Sequence, residues 1–336
     1  MRIAHLRRIM SLARSIHPGA TYLITRRVEQ RRCLLRPDSA MTAFIRYAFV
    51  MAAQIHEIEL HAVCAMSTHF HYVVSDPKGD LPRFLATFHR LVARGVQRIR
   101  RWDGAVWNRS QTSIVKLCTR EAIVEKIAYT LANPVQAGLV RHAWQWPGFK
   151  TSIDDIGKSK IQAERPKGIF DPKNTKWKKS PSLKVTLPPS ITRENADAFI
   201  ADIKLELGNL ESAAHAAIPR YKVLGAARAR KVRPDSRATS REPRNQRNPS
   251  FAVGRGNADA LRKEKQALRD FRSAYKKALD EWRSGNRAVV FPAGTYAMRV
   301  LHKVNIAPDH EPRHGDMRNA STVKCRDSDL KAGESS

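Results

Sequence analysis

Two histidines one residue apart, His69 and His71, stand in the run Met66-Ser67-Thr68-His69-Phe70-His71-Tyr72-Val73-Val74. The run is rich in aromatic and β-branched residues and suits a strand. Side chains alternate faces along a strand, so both imidazoles point the same way, about 7 Å apart. Phe70, Tyr72 and Val74 point to the other face and can anchor it. Imidazoles so placed can converge on one divalent cation; the same pattern also describes a pair of surface or structural histidines. A second group lies in Ala128-Tyr129-Thr130-Leu131-Ala132-Asn133-Pro134-Val135. Projected on a helix, Ile123, Val124, Ile127 and Leu131 form one stripe, expected to face a sheet. Tyr129 falls nearly opposite, with Glu125 and Asn133 stacked beside it at i−4 and i+4. Such a Tyr is either an ordinary amphipathic surface residue or a phenol next to an amide oxygen able to complete a hard cation's coordination. Glu125 can position a water or the cation, or merely favour the positive end of its helix.

These groups need a scaffold, and the flanking sequence predicts one. Residues 21–25 read as a strand, 42–55 as a helix, and 58–66 with 70–74 as a hairpin. Residues 81–101 read as a long helix with Phe84, Leu85, Phe88, Leu91, Val92 and Val96 on one stripe. A short strand at 113–115 follows, then a helix over 119–131 capped by Thr119 and ended near Pro134 and Gly138. Few strands with helices between them predict an α+β fold, an antiparallel sheet with helices packed on one face. The expected organisation is an N-terminal segment (1–17), a site-bearing domain (18–157), and a basic Pro/Lys/Ser-rich linker (158–192). A mainly helical basic accessory region (193–308) follows, with helices near 194–210 and 258–282 and a disordered run at 228–256. A disordered tail (309–336) closes the chain.

The 336 residues carry 61 Lys and Arg against 31 Asp and Glu, a formal net charge of +30 spread over both halves. That excess argues against a free small-molecule enzyme and for a polyanionic partner, nucleic acid above all. A hydrophobic content of 42% still allows a packed core. Cys33, Cys64, Cys118 and Cys325 form no CxxC pair, which excludes a zinc ribbon or disulfide framework and fits a reducing compartment. The apolar runs are too short to span a bilayer, and the first twenty residues lack a continuous apolar stretch, so neither a membrane partner nor a secretory leader is expected. Arg90, Arg94, Arg98, Arg100 and Arg101 either hold phosphates along their helix or form a solvated face, and Arg241 and Arg244 could add sequence-independent contacts. Trp102 and Trp107 are either stacking platforms or core residues. The lone His61 and His142 are expected to be structural or exposed rather than ligands.

Taken together, His69-Phe70-His71 and Tyr129 with Asn133-Pro134-Val135-Gln136-Ala137-Gly138-Leu139-Val140 resemble the HUH single-tyrosine transposases. Among these, the REP-associated tyrosine transposases and their insertion-sequence relatives are the nearest group. The resemblance covers roughly residues 18–150. The chain has Ser67-Thr68 where many members carry Pro-Asn, and its single Tyr on that helix separates it from two-tyrosine replication initiators. Arg109, in Val106-Trp107-Asn108-Arg109, loosely matches a Trp-x-x-Arg-like segment, and 144–147 resembles the family's tryptophan–proline stretch. The resemblance implies a ferredoxin-like HUH fold with a divalent metal, Mg or Mn, held by His69, His71 and Asn133. It implies Tyr129 as the nucleophile that cleaves single-stranded or hairpin DNA through a 5′-phosphotyrosine intermediate. Strand transfer in DNA transposition and recombination follows, in a mobile element of a bacterial cytoplasm, nucleoid-associated, with a homodimer compatible. Two other readings stand beside it. One is a DNA- or RNA-binding protein that keeps the fold without cleavage. The other is an unrelated zinc hydrolase using His69 and His71, for which no HExxH motif is present.

Overall fold

The computed structural model describes residues 13–109, 112–238 and 249–309. Its first part runs β1 (Thr21–Arg27), α1 (Ser39–His56), β2 (Glu59–Ala65), β3 (His69–Ser75), α2 (Leu81–Arg100), β4 (Ser113–Leu117) and α3 (Arg120–Gln136). Then come β5 (Lys160–Gln162), β6 (Ser182–Lys184), α4 (Ala196–Ala217), α5 (Ala226–Ala229) and β7 (Phe251–Ala252). The described chain closes with α6 (Ala258–Arg283), β8 (Val290–Phe291), α7 (Ala297–His302) and β9 (Asn305–Ile306). One five-stranded sheet has the order β2-β3-β1-β4-β7. All its pairings are antiparallel except β4 with β7, which is parallel.

Local chemistry sets the ends of the helices. The Asp38 carboxylate accepts the Met41 amide at 3.1 Å and opens α1. Thr119 does the same for α3, accepting from Ala122 at 3.2 Å. Gly138, at φ +64°, turns the chain just past α3 in a conformation that favours glycine. On one face of the sheet, Phe70 and Tyr72 pack into an aromatic cluster with Phe49 of α1 and Phe84 and Phe88 of α2. The two helices approach closely at Gly95, where a Cβ would lie 2.0 Å from Cε1 of Phe44.

Helices cover both faces, not one as expected. The second face carries Leu23, Ala62, Val73 and Val115, all buried. Apolar surface on both sides of a sheet must be covered on both sides. Here α3 packs across β2 and β3, and α4 packs along α3, tied to it by an Arg120–Asp202 ion pair of 2.7 Å.

The segment expected as a linker, 158–192, is part of the core. Phe170 packs on Tyr47 at 4.8 Å and stacks on Phe44 at 5.8 Å, and Val185 bridges Leu60 at the margin of β2. The Thr186 amide donates to the Leu60 carbonyl at 2.7 Å. Farther along the same edge, the Ala65 amide donates to Phe149 and the Thr151 amide to Val63. An otherwise open strand edge is thereby satisfied. The described parts of the run 228–256 are also placed. Ala238 and Ser236 bond Arg31 and Cys33 through the backbone, and Phe251–Ala252 is β7. Residues 239–248, with Arg241 and Arg244, lie outside the described residues, as do 1–12 and 310–336 with Cys325. Among the described residues, no helix is long and apolar enough to cross a membrane.

Candidate active site

Because Phe70 and Tyr72 are committed to the α1/α2 side, His69 and His71 emerge on the face that α3 crosses. Their rings meet edge-on, with centroids 4.7 Å apart. In the β1–β3 register, Thr25 lies directly opposite His71 and Arg27 opposite His69. Cys64 of β2 flanks His71 on its other side. The Thr25 hydroxyl lies 3.0 Å from His71 Nδ1, and the Thr68 hydroxyl 2.8 Å from His69 Nδ1. Both Nδ1 atoms are therefore engaged, which orients each ring; a ligand atom on either would be its Nε2. Desolvation first, then the cations of Arg27 and Arg31, push His69 down to about 4, against a raising bond from Asn133. His71 is also held well below its ordinary value by burial, then by His69 and Arg27. Both rings are thus neutral at pH 7, the form with a lone pair for a cation. Burial pushes the Cys64 thiol up to about 12, so it is a neutral neighbour and not a thiolate ligand.

Helix α3 brings the second group. The Tyr129 ring stands edge-on to His71, with centroids 5.2 Å apart. One turn later, the Asn133 side-chain nitrogen donates to the Tyr129 carbonyl at 2.7 Å, and the same side chain is hydrogen-bonded to His69. Tyr129 does not point away from the sheet, as the helical projection predicted. The projection assumes a single buried face, whereas α3 is buried by the sheet on one side and by α4 on another, so no face lies simply opposite the core. Tyr129 is half-buried at the margin.

His69, His71, Asn133 and Tyr129 are therefore together. Glu125 is drawn elsewhere: its carboxylate accepts the Arg255 amide at 2.7 Å. Arg90, Arg94, Arg98, Arg101 and Arg109 are exposed, and the α2 positions belong to the layer on the other side of the sheet from His69 and His71. Arg100 turns inward, with its side chain 6% exposed, and bonds Asp38 and the carbonyls of Leu34 and Arg36. Trp107 is structural: it packs on Phe70 and donates to the His89 carbonyl at 2.8 Å. His61 is buried between Ser75 and the Thr186 carbonyl. His142 sits beside Glu211 and His215 in a separate group.

Thr25, Arg27 and Arg31 were missed by the sequence reading. Arg27 is close enough to Tyr129 and His69 to interact electrostatically with both. Arg31 follows in a turn where Gln30 and Arg31 both adopt positive φ, 51° and 56°. Strand alternation alone puts Thr25 and Arg27 on one face. Their pairing with the two histidines depends on register between strands more than forty residues apart, which no local pattern records.

Two neutral imidazoles and an amide oxygen form a donor set that fits a divalent cation with open positions. The phenol and the cationic side chain of Arg27 stand at its rim. No protein-family model matches the chain, and no curated protein does. Among solved structures, the chain is similar to one described as a REP-associated tyrosine transposase bound to a REP hairpin. That match has 20% identity over 43% of this chain and 84% of the other, with a TM-score of 0.36. A crystal structure of a Deinococcus radiodurans R1 protein described as a candidate transposase matches at 18% identity. It covers 34% of this chain and 88% of the other, with a TM-score of 0.26.

Proposed function

We propose that this chain is a transposase-type enzyme that cleaves one DNA strand and transfers it through a covalent link to Tyr129. The observation that carries the reading is the meeting of Tyr129 with His71 while Asn133, one turn along the same helix, bonds His69. A phosphodiester resists attack because its charge repels the nucleophile and its leaving alkoxide is poor. A divalent cation, Mg²⁺ or Mn²⁺, held by His69, His71 and Asn133 would offset charge on the non-bridging and leaving oxygens. The Tyr129 phenol must lose its proton to solvent as it attacks. Arg27, facing it, favours the developing negative charge. The Tyr129 oxygen bonds to phosphorus and the bond to the 3′-oxygen breaks, leaving a 5′-phosphotyrosine and a free 3′-OH. Attack by the 3′-OH of another end reverses the step and releases Tyr129. One phosphodiester is exchanged for another without an external energy source.

The substrate is single-stranded or hairpin DNA, in keeping with the net charge of +30. The test is to incubate the protein with Mn²⁺ and hairpins from DNA flanking its gene, then look for a protein–DNA species that survives denaturant. The parent protein forms it and Tyr129→Phe binds DNA without forming it. A Tyr129→Phe protein that cleaved like the parent would remove the assigned role. A parent that binds hairpins tightly yet never forms an adduct would instead be a binding protein.

A further inference from the structure

We propose that His142, Glu211 and His215 form a second metal site, of the zinc class, separate from the histidines of β3. Their ligand atoms all lie within 4.8 Å of one another. Glu211 and His215 are four residues apart on α4 and so share one face of it. His142 comes from the turn that follows α3. Its Nδ1 lies 3.1 Å from Glu211 Oε2, and its ring meets that of His215 edge-on, with centroids 5.2 Å apart. Two ligands of a tetrahedral zinc at about 2.0–2.2 Å stand about 3.4 Å from each other. The site needs only a small closure.

The surroundings favour a metal over a plain ion pair. His215 donates from Nε2 to the Arg141 carbonyl at 2.6 Å, which fixes the tautomer and leaves Nδ1 with its lone pair. Glu211 uses Oε1 to accept the Ala143 amide at 2.7 Å and keeps Oε2 for the cluster. The turn itself is tied by the Arg141 and His142 amides, both donating to Gln145 Oε1 at 3.0 and 3.1 Å. Each ligand is thus held by a bond through its other atom or by a fixed backbone. All three residues are partly exposed, so an ion can enter. Two imidazoles and one carboxylate suit zinc, cobalt or nickel better than magnesium or calcium. Three protein ligands would leave a fourth position for water, and the exposed Trp144 ring stacks on His142. Bound metal would clamp α4 to the corner that ends α3.

The test uses the full chain, stripped with chelator and titrated with Zn²⁺, and with Co²⁺ as a spectroscopic probe. Bound zinc after desalting and the thermal midpoint with and without zinc are read in parallel. The His69→Gln/His71→Gln variant should retain one zinc per chain, a tetrahedral cobalt spectrum and a zinc-dependent rise in midpoint. Glu211→Gln, which keeps the acceptor for Ala143, should weaken zinc in that background by about tenfold or more. His142→Ala/His215→Ala should remove that ion and the rise in midpoint while leaving the histidines of β3 in place. If the double alanine variant does not fold, Glu211→Gln decides alone. Zinc binding that vanishes with His69 and His71, or that ignores all changes at His142, Glu211 and His215, overturns the proposal.

Discussion

Thr25 touches His71 on the side away from its available nitrogen, so changing it tests orientation without deleting a ligand. Thr25→Val keeps the shape of the side chain and removes the hydroxyl 3.0 Å from Nδ1. Metal affinity or cleavage should fall about 10- to 100-fold while the fold persists, as read by Mn²⁺ titration and adduct yield. Other buried histidines set a pH dependence of stability. Burial holds His61 at about 4 and His89 at about 3, both below the ordinary 6.5. The unfolded chain therefore takes up protons below pH 6.5 that the folded chain refuses. Their contribution is complete above that pH and is lost as pH falls toward 4 and 3, by about 1.4 kcal/mol per unit for each group. Denaturant unfolding at pH 7 and pH 5 should show the loss, and His89→Phe should reduce it. At this scale type and spacing single out His69, His71, Tyr129 and Asn133, and the fold brings the four together. The sequence concealed Thr25 and Arg27, because their importance comes from facing β3 and not from their own neighbours.

Helix α2 meets α1 through Gly95, which has a conformational cost in a helix but allows close contact. Phe44 is fully buried and stacked on Phe170, so it has no room to retreat from a new methyl group. Gly95→Ala should destabilise the protein by about 1–3 kcal/mol through overpacking, in spite of alanine's better helix propensity. Thermal unfolding would show the sign directly, and a more stable variant would mean that the helices shift apart easily. Periodicity located α1, α2, α3, α4 and α6 well, since each has a long repeating pattern. It failed for α3's orientation because a helix buried on two sides has no single stripe. It failed for 158–192 because Ile161, Phe170, Trp177, Val185 and Ile191 are dispersed among lysines and prolines. Each anchors the segment singly, without a regular period. The two-residue β7 is too short to leave any pattern.

Across the whole molecule, the main core extends beyond residue 157. Phe170, Val185, Ile191, Phe199 and Ile203 belong to it together with the residues around β1 and β3. A fragment ending at 157 would uncover the margin of β2 and one side of α3. It should be insoluble or unfold without a cooperative transition, whereas the full chain unfolds cooperatively. A soluble fragment with a sharp transition would show that the later segments are dispensable. Charge and composition point to a polyanionic partner, but they do not show that the basic second half helps to build the fold. One consequence concerns synthesis. Strand β7 docks beside β4, yet Phe251 leaves the ribosome long after Leu117. At roughly 5–20 residues per second, the growing polypeptide waits about 7–27 s with that flank bare. Four strands must therefore stand by themselves during translation, and any neighbouring nascent copy has that interval in which to insert a strand of its own.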